Sequence, residues 1–372
     1  MNRILALIAN ESLSGPGRQL GALAASLERQ GIPFLIAILH RRGNPRPAFA
    51  SYLERLGVAH VLVEDRGPLD LAILKRVSAV IDDFRPTILQ THAYKATAVA
   101  WALRRRGASL PWIGYFHGVT HENAKARFYH WLDHRMLVSA DRVVVMSARQ
   151  QADFDRLGAP VLRINNAVLP DLGSAGPDDS SAIRSAGRGL AHPVLGVVGR
   201  LSPEKGVDVF LDACAVLAST GQPFSALIAG DGPERGRLEA RLRDRGLGDR
   251  VRLLGQVSSV RSLYSVIDVL VIPSRSEGLP NALLEGLGAD LPAVATAVGA
   301  IPEVLADPRT GLVVPPGDPH ALAAAIAPAW ALRHSPDGRA ARAAAAEAYS
   351  LERRVRLHLD LYEELTSRSR TA

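Results

Sequence analysis

Short apolar runs alternate with longer stretches of helical periodicity along both halves of the chain. In the first half, six such runs are candidate strands, at residues 4–10, 34–40, 58–64, 87–92, 111–118 and 141–147. Short apolar runs that are separated by helical segments are typical of buried parallel strands. The pattern therefore predicts an α/β domain built on a doubly wound parallel sheet.

A second alternating series follows a polar segment. Residues 171–192 are rich in Gly, Ser, Asp and Pro, which is the composition of a linker. Six further apolar runs predict a second sheet, and the tail from His320 onward is predicted to be helical. The predicted organisation is therefore an N-terminal domain (1–170), a linker (171–192), a second domain (193–345) and a C-terminal helix (346–372).

Composition narrows the class of protein. The 372 residues are 47% apolar, which is enough for sizeable cores, and the one cysteine, Cys214, lies in an apolar helical stretch. A disulfide framework is excluded, which favours a reducing compartment. The first ten residues are typical of a strand rather than a signal peptide, and no apolar run approaches the roughly 20 residues that span a bilayer. We therefore expect a cytoplasmic protein.

The net charge of +7 is unevenly distributed. Residues 1–170 hold 22 Lys and Arg against 13 Asp and Glu, a net +9, whereas residues 171–372 hold 22 against 24, a net −2. The basic half is compatible with peripheral contact to an anionic membrane or a phosphate-bearing acceptor, and equally with an arginine-rich solvated surface. Nucleic acid is not expected as a partner, because aromatic residues make up only 5% and no nucleic-acid motif is present.

The stretch EGLPNALLE (277–285) carries two carboxylates across a predicted loop-to-helix junction. Gly278, Pro280 and Asn281 are turn and helix-start residues, so Glu277 is predicted in a loop and Glu285 about one turn into a helix. The stretch follows a predicted buried strand, at the edge where open α/β sheets bind ligands. The helix-start amides favour an anion there.

A second polar loop, GRLSPEKG (199–206), follows the predicted strand VLGVV. Arg200 and Lys205 stand five positions apart in this Gly- and Pro-bounded loop. A guanidinium fork and an ammonium point charge suit the two phosphates of a pyrophosphate. The loop is therefore a candidate diphosphate site, with a solvated surface loop as the alternative.

Four motifs together resemble those of a known family. GRLSPEKG, GDGP (230–233), EGLPNALLE and VGAIPEV (298–304) occur in the order and close to the spacing of the large family of retaining glycosyltransferases of the GT-B fold, family 4 type. The resemblance covers nearly the whole chain. It implies two facing Rossmann-like domains, with a cleft that closes around the substrates and a C-terminal helix that crosses back to the N-terminal domain.

The resemblance also implies roles for individual residues. Diphosphate binding is implied for Arg200 and Lys205, ribose binding for Glu285, and contact with the transferred sugar for Glu277. His117 is implied to lie beside that sugar and the acceptor. The remaining implied donor contacts are the helix-start amides of Asn281, Ala282 and Leu283, the base-packing side chain of Arg252, and the first-loop glycines Gly15 and Gly17.

The activity implied is transfer of a hexose-type sugar from a nucleotide-diphosphate sugar to a hydroxyl of a glycan or lipid-linked acceptor, in cell-surface polysaccharide or lipopolysaccharide assembly. The mechanism implied is retaining and metal-independent, without a cofactor, because fixed cations and helix dipoles can stabilise the negative charge that grows on the departing phosphate. A nucleotide-sugar epimerase or hydrolase of the same fold, and a non-catalytic sugar-nucleotide binder, remain alternatives.

Other constellations compete for chemistry. The loop with Gly15 and Gly17 has some likeness to a dinucleotide fingerprint, which would indicate an NADP-dependent oxidoreductase, but five residues separate strand one from its first glycine. Spacing compatible with zinc occurs at His117 with His121 and at His130 with His134, and acidic pairs that could hold a metal occur at Asp153 with Asp155 and Asp178 with Asp179. Solvated or structural positions are the preferred interpretation of these pairs.

Overall fold

The computed structural model of the chain describes residues 2–9, 13–67, 70–118, 124–169, 180–257 and 260–371. Contacts divide the chain into two compact units, each with its own parallel sheet. The first unit comprises Met1–Leu169 and Ser350–Ala372, and the second comprises Pro170–Tyr349. Of the predicted linker, residues 171–179 lie outside the described residues and 180–186 form a helix.

The first unit contains a seven-stranded sheet. Its strands are β1 (Ile4–Ile8), β2 (Phe34–Arg41), β3 (His60–Asp65), β4 (Ile88–His92), β5 (Trp112–Tyr115), β6 (Arg142–Val145) and β7 (Val161–Arg163). The strand order is β3-β2-β1-β4-β5-β6-β7, and every described pairing is parallel. Each of the six predicted strands is present. The seventh, β7, was not predicted, because only three residues form it and none of them is buried.

Six helices connect these strands. They are α1 (Gly15–Arg29), α2 (Ala48–Leu56), α3 (Ile73–Phe84), α4 (Tyr94–Arg105), α5 (Ala124–Leu137) and α6 (Ala148–Asp155). The hydroxyl of Ser14 caps α1 by accepting a hydrogen bond from the amide of Gly17 at 3.3 Å. The sheet is buried on its helix-covered faces, and β1 and β4 have no exposed residue. This arrangement confirms the predicted doubly wound sheet.

The second unit repeats the architecture with six strands. They are β8 (Val194–Val198), β9 (Ser225–Ala229), β10 (Val251–Gly255), β11 (Val269–Ile272), β12 (Ala293–Thr296) and β13 (Gly311–Val314), in the order β10-β9-β8-β11-β12-β13. The helices are α7 (Ser180–Ala186), α8 (Val207–Ser219), α9 (Arg235–Asp244), α10 (Val260–Tyr264), α11 (Asn281–Gly288), α12 (Ile301–Val304), α13 (Pro319–Arg333) and α14 (Pro336–Ala348). All six predicted strands are confirmed.

The last helix, α15 (Leu351–Thr371), belongs to the first unit. It packs on α1 and β4, and its apolar residues Val355, Leu361 and Leu365 are buried. Ser350, just before the helix, forms an isolated parallel β-bridge with Val168, near the end of the Met1–Leu169 segment. No helix in the described part of the chain, including α15, is both long enough and apolar enough to cross a bilayer.

Candidate active site

The four sequence motifs of the second unit follow four neighbouring strands of one sheet. GRLSPEKG follows β8, GDGP follows β9, EGLPNALLE follows β11 and VGAIPEV follows β12. The strands β8 and β11 are adjacent, yet the chain continues from β8 to one side of the sheet and from β11 to the other. Such a switch point opens a crevice at the carboxyl edge, where ligands bind in this class of sheet.

Glycines hold these loops against one another. A Cβ atom on Gly230 would lie 1.8 Å from the carbonyl oxygen of Gly199, and one on Gly232 would lie 2.3 Å from that of Leu201. Gly299 adopts a φ of +58°, and its Cβ would lie 2.4 Å from the carbonyl oxygen of Glu277. The glycines of GDGP and VGAIPEV therefore allow close backbone contact with the loops that carry the charged residues.

Lys205 and Glu277 meet at this edge. The ammonium nitrogen Nζ of Lys205 lies 2.6 Å from Oε1 of Glu277, and the hydroxyl of Ser274 donates to the same oxygen at 2.7 Å. The carboxylate side chain is 9% exposed and that of Lys205 is 28% exposed. Residues 72 positions apart are thus held as one ion pair at the switch point, and two donors orient the carboxylate.

Gly206 shapes the same loop. It has a φ of +64°, and its Cβ would lie 2.0 Å from the carbonyl oxygen of Pro273 in the loop after β11. Arg200 lies exposed directly after Gly199. The structure therefore places Arg200, Lys205 and Glu277 on two loops that pack together. Their contacts with a ligand stay predictions.

Helix α11 begins at Asn281, as predicted, with Pro280 as its N-cap residue. Asn281, Ala282 and Leu283 form its first turn, and the amide of Leu283 donates to the carbonyl of Pro280 at 3.2 Å. Glu285 lies one turn along the helix, where its Oε2 accepts a hydrogen bond from the hydroxyl of Tyr264 at 3.0 Å. The sequence did not indicate Tyr264 or Ser274 as partners of these carboxylates.

Arg252 is not brought to these loops. It is the second residue of β10, three positions before the end of that strand, and its guanidinium donates to the carbonyl of Ala186 at 2.8 Å. The side chain is thereby bound to the end of α7. The implied contact of Arg252 with a nucleotide base has no support from this placement.

In the first unit, Gly15 and Gly17 start α1 after the switch point between β1 and β4. A Cβ atom on Gly17 would lie 3.2 Å from the ring of Phe49 in α2. A methyl group there would press on this ring, so the glycine also contributes to the close packing of α1 against α2. The implied close approach of both glycines to a diphosphate stays a prediction.

His117 follows β5 and is part of a buried polar network. Its Nε2 lies 3.0 Å from Nδ1 of His92, and Nε2 of His92 lies 3.3 Å from the amide nitrogen Nε2 of Gln90. The hydroxyl of Tyr362 in α15 donates to Oε1 of Gln90 at 2.9 Å. Gln90, His92 and Tyr362 are almost completely buried. Four side chains from β4, α15 and the segment after β5 thus form one continuous hydrogen-bonded chain.

A buried guanidinium lies beside this chain. Arg354 of α15 is 4% exposed and donates to the side-chain oxygen of Gln19 and, at 3.3 Å, to its backbone oxygen. Among the described residues, no carboxylate pairs with Arg354. Burial and the Arg354 charge lower the pKa values of His117 and His358 to about 3, and burial lowers the pKa of Arg354 itself. The histidines are therefore neutral near pH 7.

The competing constellations do not form metal sites in the described residues. Nδ1 of His134 donates to the carbonyl of His130 at 2.8 Å, and the ring stacks on Phe154. Asp153 pairs with Arg156. His121, Asp178 and Asp179 lie outside the described residues. Across the described ranges, no group of three His, Cys, Asp or Glu residues is arranged to hold a metal.

Two family models match the chain. The one described as a glycosyl transferase 4-like domain matches residues 14–169, and the one described as glycosyl transferases group 1 matches residues 192–331. Together the two matches span most of the chain. The chain belongs to the group 1 glycosyltransferases. The four loops at the β8/β11 switch point therefore belong to a group 1 glycosyltransferase domain.

The names of two curated relatives of this group 1 glycosyltransferase differ, since one specifies 2-deoxystreptamine and the other lipopolysaccharide core biosynthesis. The 2-deoxystreptamine N-acetyl-D-glucosaminyltransferase of Streptomyces fradiae is 27% identical over 345 residues, which cover 84% of this chain and 81% of the relative. The lipopolysaccharide core biosynthesis mannosyltransferase LpsB of Rhizobium meliloti is 31% identical over 157 residues, which cover 40% of this chain and 45% of the relative. The matched part spans about half the length of several curated relatives.

A solved structure agrees with the fold. Anabaena Alr3699/HepE in complex with UDP-glucose matches with a TM-score of 0.83 and 19% sequence identity, over 98% of this chain and 100% of that one. At this identity the likeness shows the fold alone. The chain therefore has the GT-B fold of two Rossmann-like α/β domains.

Proposed function

We propose that this group 1 glycosyltransferase transfers a hexose from a nucleotide-diphosphate sugar to a hydroxyl group, with retention of anomeric configuration and without a metal. The observation that carries the proposal is the Lys205–Glu277 pair at the switch point of the second sheet. A cation and a carboxylate held on adjoining loops match the two halves of such a donor, since the diphosphate is anionic and the sugar presents hydroxyl donors.

In the proposed reaction, the bond between the anomeric carbon and the diphosphate oxygen breaks, and the acceptor oxygen forms the new bond on the same face of the sugar. The acceptor proton passes to an oxygen of the departing diphosphate. Positive charge develops on the sugar and negative charge on the leaving group. Lys205 and Arg200 stabilise the leaving group in this scheme, because fixed cations act most strongly where charge develops.

Recognition of the nucleotide is assigned to α11. Glu285 accepts hydrogen bonds from the ribose hydroxyls, and the Tyr264 hydroxyl holds the carboxylate at 3.0 Å in an orientation suited to this. The amides of the first turn, at Asn281 and Ala282, face the phosphates, with a smaller contribution from Leu283 because its amide already donates to Pro280.

The acceptor is proposed to be a glycan or lipid-linked sugar, and the first unit to contact an anionic membrane. Phe128 and Trp131 of α5 are 57% and 54% exposed, and their rings lie 6.0 Å apart. The Arg135 guanidinium lies 5.5 Å from the Trp131 ring. Exposed aromatic rings beside cations are the side chains that insert at a lipid interface and attract its anionic headgroups. The Rhizobium relative named for lipopolysaccharide core biosynthesis supports this choice of acceptor.

Calorimetric titration tests the donor site. The protein is titrated with UDP, GDP and ADP in the presence of EDTA, and we expect tight binding of one of them. Lys205→Ala should weaken nucleoside diphosphate binding by about 2–3 kcal/mol, the value of a charge-assisted contact, and leave nucleoside binding nearly unchanged. Equal losses for both ligands would remove Lys205 from the diphosphate role.

The matched control is Arg309→Ala. Arg309 is an exposed cation of the same unit that pairs with Asp307 and precedes the amino end of β13. Its removal should leave nucleotide binding unchanged. Turnover with and without acceptor, followed by the anomeric proton signal of the product, then tests transfer and retention. Donor consumption that is independent of acceptor would instead indicate the hydrolase or epimerase alternative.

A further inference from the structure

A hydrogen-bonded chain leads from the C-terminal helix to His117. It runs from the hydroxyl of Tyr362 to Oε1 of Gln90, from Nε2 of Gln90 to Nε2 of His92, and from Nδ1 of His92 to Nε2 of His117. The heavy-atom distances are 2.9, 3.3 and 3.0 Å. The two imidazole rings are tilted by only 22° and their centroids are 5.3 Å apart, so the N···N bond lies close to both ring planes.

The direction of donation along this chain follows from its first member. The phenol donates to the amide oxygen of Gln90, so the amide NH₂ group faces the ring of His92. An amide nitrogen is only a donor, and Nε2 of His92 must therefore accept. A neutral imidazole that accepts at one nitrogen carries its proton on the other, so Nδ1 of His92 donates to Nε2 of His117.

We propose that Tyr362, Gln90 and His92 are positioning residues that hold His117 in the tautomer with its proton on Nδ1. His117 then presents a hydrogen-bond donor to an oxygen of the sugar or acceptor and does not act as a base at that atom. The tautomer depends only on residues of this chain and not on a bound substrate. The substrate contact rests on the proposed function.

The surroundings of His117 support this assignment. Its Nδ1 is buried and has no hydrogen-bond partner among the described residues, and a buried N–H without a partner is costly unless a ligand satisfies it. Arg354 supplies the one fixed positive charge of the network, and no carboxylate among the described residues offsets it. A second positive charge on the ring is therefore unfavourable.

The proposal has a consequence for the reaction. A neutral ring that donates at Nδ1 and is engaged at Nε2 by His92 has no free lone pair to accept the proton of the acceptor hydroxyl. That proton must then go elsewhere, and the departing diphosphate oxygen is the acceptor in the scheme above. His117 would orient a substrate oxygen, and its removal would affect binding geometry more than proton transfer.

Nitrogen NMR of the histidine side chains tests the tautomer directly. In protein labelled with ¹⁵N, long-range proton–nitrogen correlations distinguish a protonated Nδ1 from a protonated Nε2, and His117→Gln identifies the signals of His117. We expect Nδ1–H for both His92 and His117 in the wild-type protein at pH 7. A wild-type His117 with its proton on Nε2 would overturn the proposal without any further variant.

Gln90→Glu should reverse the chain. A carboxylate can only accept, so His92 would donate from Nε2 and accept at Nδ1, and His117 would donate from Nε2. The matched control, Gln90→Met, has a similar volume without a donor or acceptor and should give a mixture of tautomers. The same spectra report the protonation state of His92. If His92 is neutral in Gln90→Glu and the proton remains on Nδ1 of His117, Gln90 does not set the tautomer and the proposal is wrong.

Transfer kinetics separate positioning from a structural role. With the tautomer reversed, Gln90→Glu should lower kcat/KM for transfer by roughly tenfold or more, whereas UDP or GDP binding to the second unit should be unchanged. A reversed tautomer with unchanged kcat/KM would show that the substrate contact of His117 is wrong. Absence of glycosyl transfer in the wild-type protein would overturn the proposed function and leave the NMR result standing.

Discussion

The two units of this group 1 glycosyltransferase organise their polar side chains in opposite ways. In the second unit, charged residues lie on loops at the carboxyl edge of the sheet, where Lys205 and Glu277 compensate each other at 2.6 Å. In the first unit, polar side chains are buried between β4 and α15, the histidines are neutral, and Arg354 has no carboxylate partner among the described residues. In the loop site, Lys205 and Glu277 can exchange their contact with each other for contacts with a ligand. In the buried network, the inner side chains cannot reach a ligand and act only by orienting His117 at the end of the chain.

The difference extends to what holds each arrangement in place. In the second unit, the backbones of neighbouring loops pack directly against one another at glycines, where there is no room for a Cβ atom. Side-chain hydrogen bonds hold the network of the first unit. The second unit should therefore be most sensitive to an added methyl group, and the first unit to a change of protonation.

The largest expected effect is that of Gly206→Ala on the second unit. The added Cβ would lie 2.0 Å from the carbonyl of Pro273, at a φ of +64°. We expect the unfolding free energy of this unit to fall by about 4 kcal/mol or more, because both strain and backbone displacement contribute. Hydrogen exchange measured by mass spectrometry, on peptides from β8 and β11, resolves the effect for this unit alone.

Gly221→Ala is the matched control. Gly221 follows the other end of α8 with a φ of +73°, and nothing lies within 4 Å of its Cβ position. The same substitution should cost only about 1 kcal/mol there, which is the price of the left-handed conformation. Equal effects at the two positions would show that close contact between loops does not hold the second site together.

Acidification should give the next largest effect, on the first unit. The pKa values of His117 and His358 are lowered to about 3 in the folded protein, and that of His92 is also lowered. The unfolded chain therefore binds more protons below pH 6.5. The unfolding free energy should decrease by up to about 1.4 kcal/mol per pH unit for each of His117 and His358 as the pH falls from about 6.5 toward 3. The lowered pKa of His92 should add a loss in the same direction.

The measurement is hydrogen exchange in β4 and α15 at pH 7, 6 and 5, corrected for the intrinsic exchange rate. His358→Phe keeps a ring against Tyr115, with which His358 stacks at 6.1 Å, and removes one titrating group. The unfolding free energy of this variant should depend less steeply on pH than that of the wild-type protein, because one titrating histidine is missing. An unchanged slope would indicate that burial and the Arg354 charge do not lower the pKa of His358 in the folded protein.

The contrast between the units also explains what the sequence revealed. The fold class followed from the alternation of apolar runs, because buried parallel strands such as β1 and β8 are short and continuously apolar. The loops of the second unit were recognisable because each motif is local: its glycines and charged residues lie within a stretch of at most nine positions. The base contact implied for Arg252 gained no support from the structure, because Arg252 lies within a strand and its guanidinium donates to the carbonyl of Ala186. That contact stays a prediction.

The network of the first unit could not be predicted in the same way. Gln19, Gln90, His117 and Arg354 are far apart in sequence, and nothing local to any of them indicates a common partner. One signal was available. Arg354, His358 and Tyr362 recur every four positions on an otherwise amphipathic helix, so they share the face that packs inward. A polar stripe on the buried side of a helix predicts a buried network, although not its members on other elements.

The smallest expected effect tests the charge difference between the units. Vesicles of phosphatidylcholine with phosphatidylglycerol should bind the protein, and the double variant Phe128→Ser with Trp131→Ser should bind roughly tenfold more weakly, which corresponds to about 1.4 kcal/mol. The matched control is Leu71→Ser, since Leu71 is 75% exposed in the same unit. Binding should weaken with added salt, because the anionic headgroups act through screened charge. If the double variant and Leu71→Ser lose the same affinity, α5 is not the contact surface. If uncharged vesicles bind as well as anionic ones, the basic character of the first unit is not what attracts the protein to a membrane.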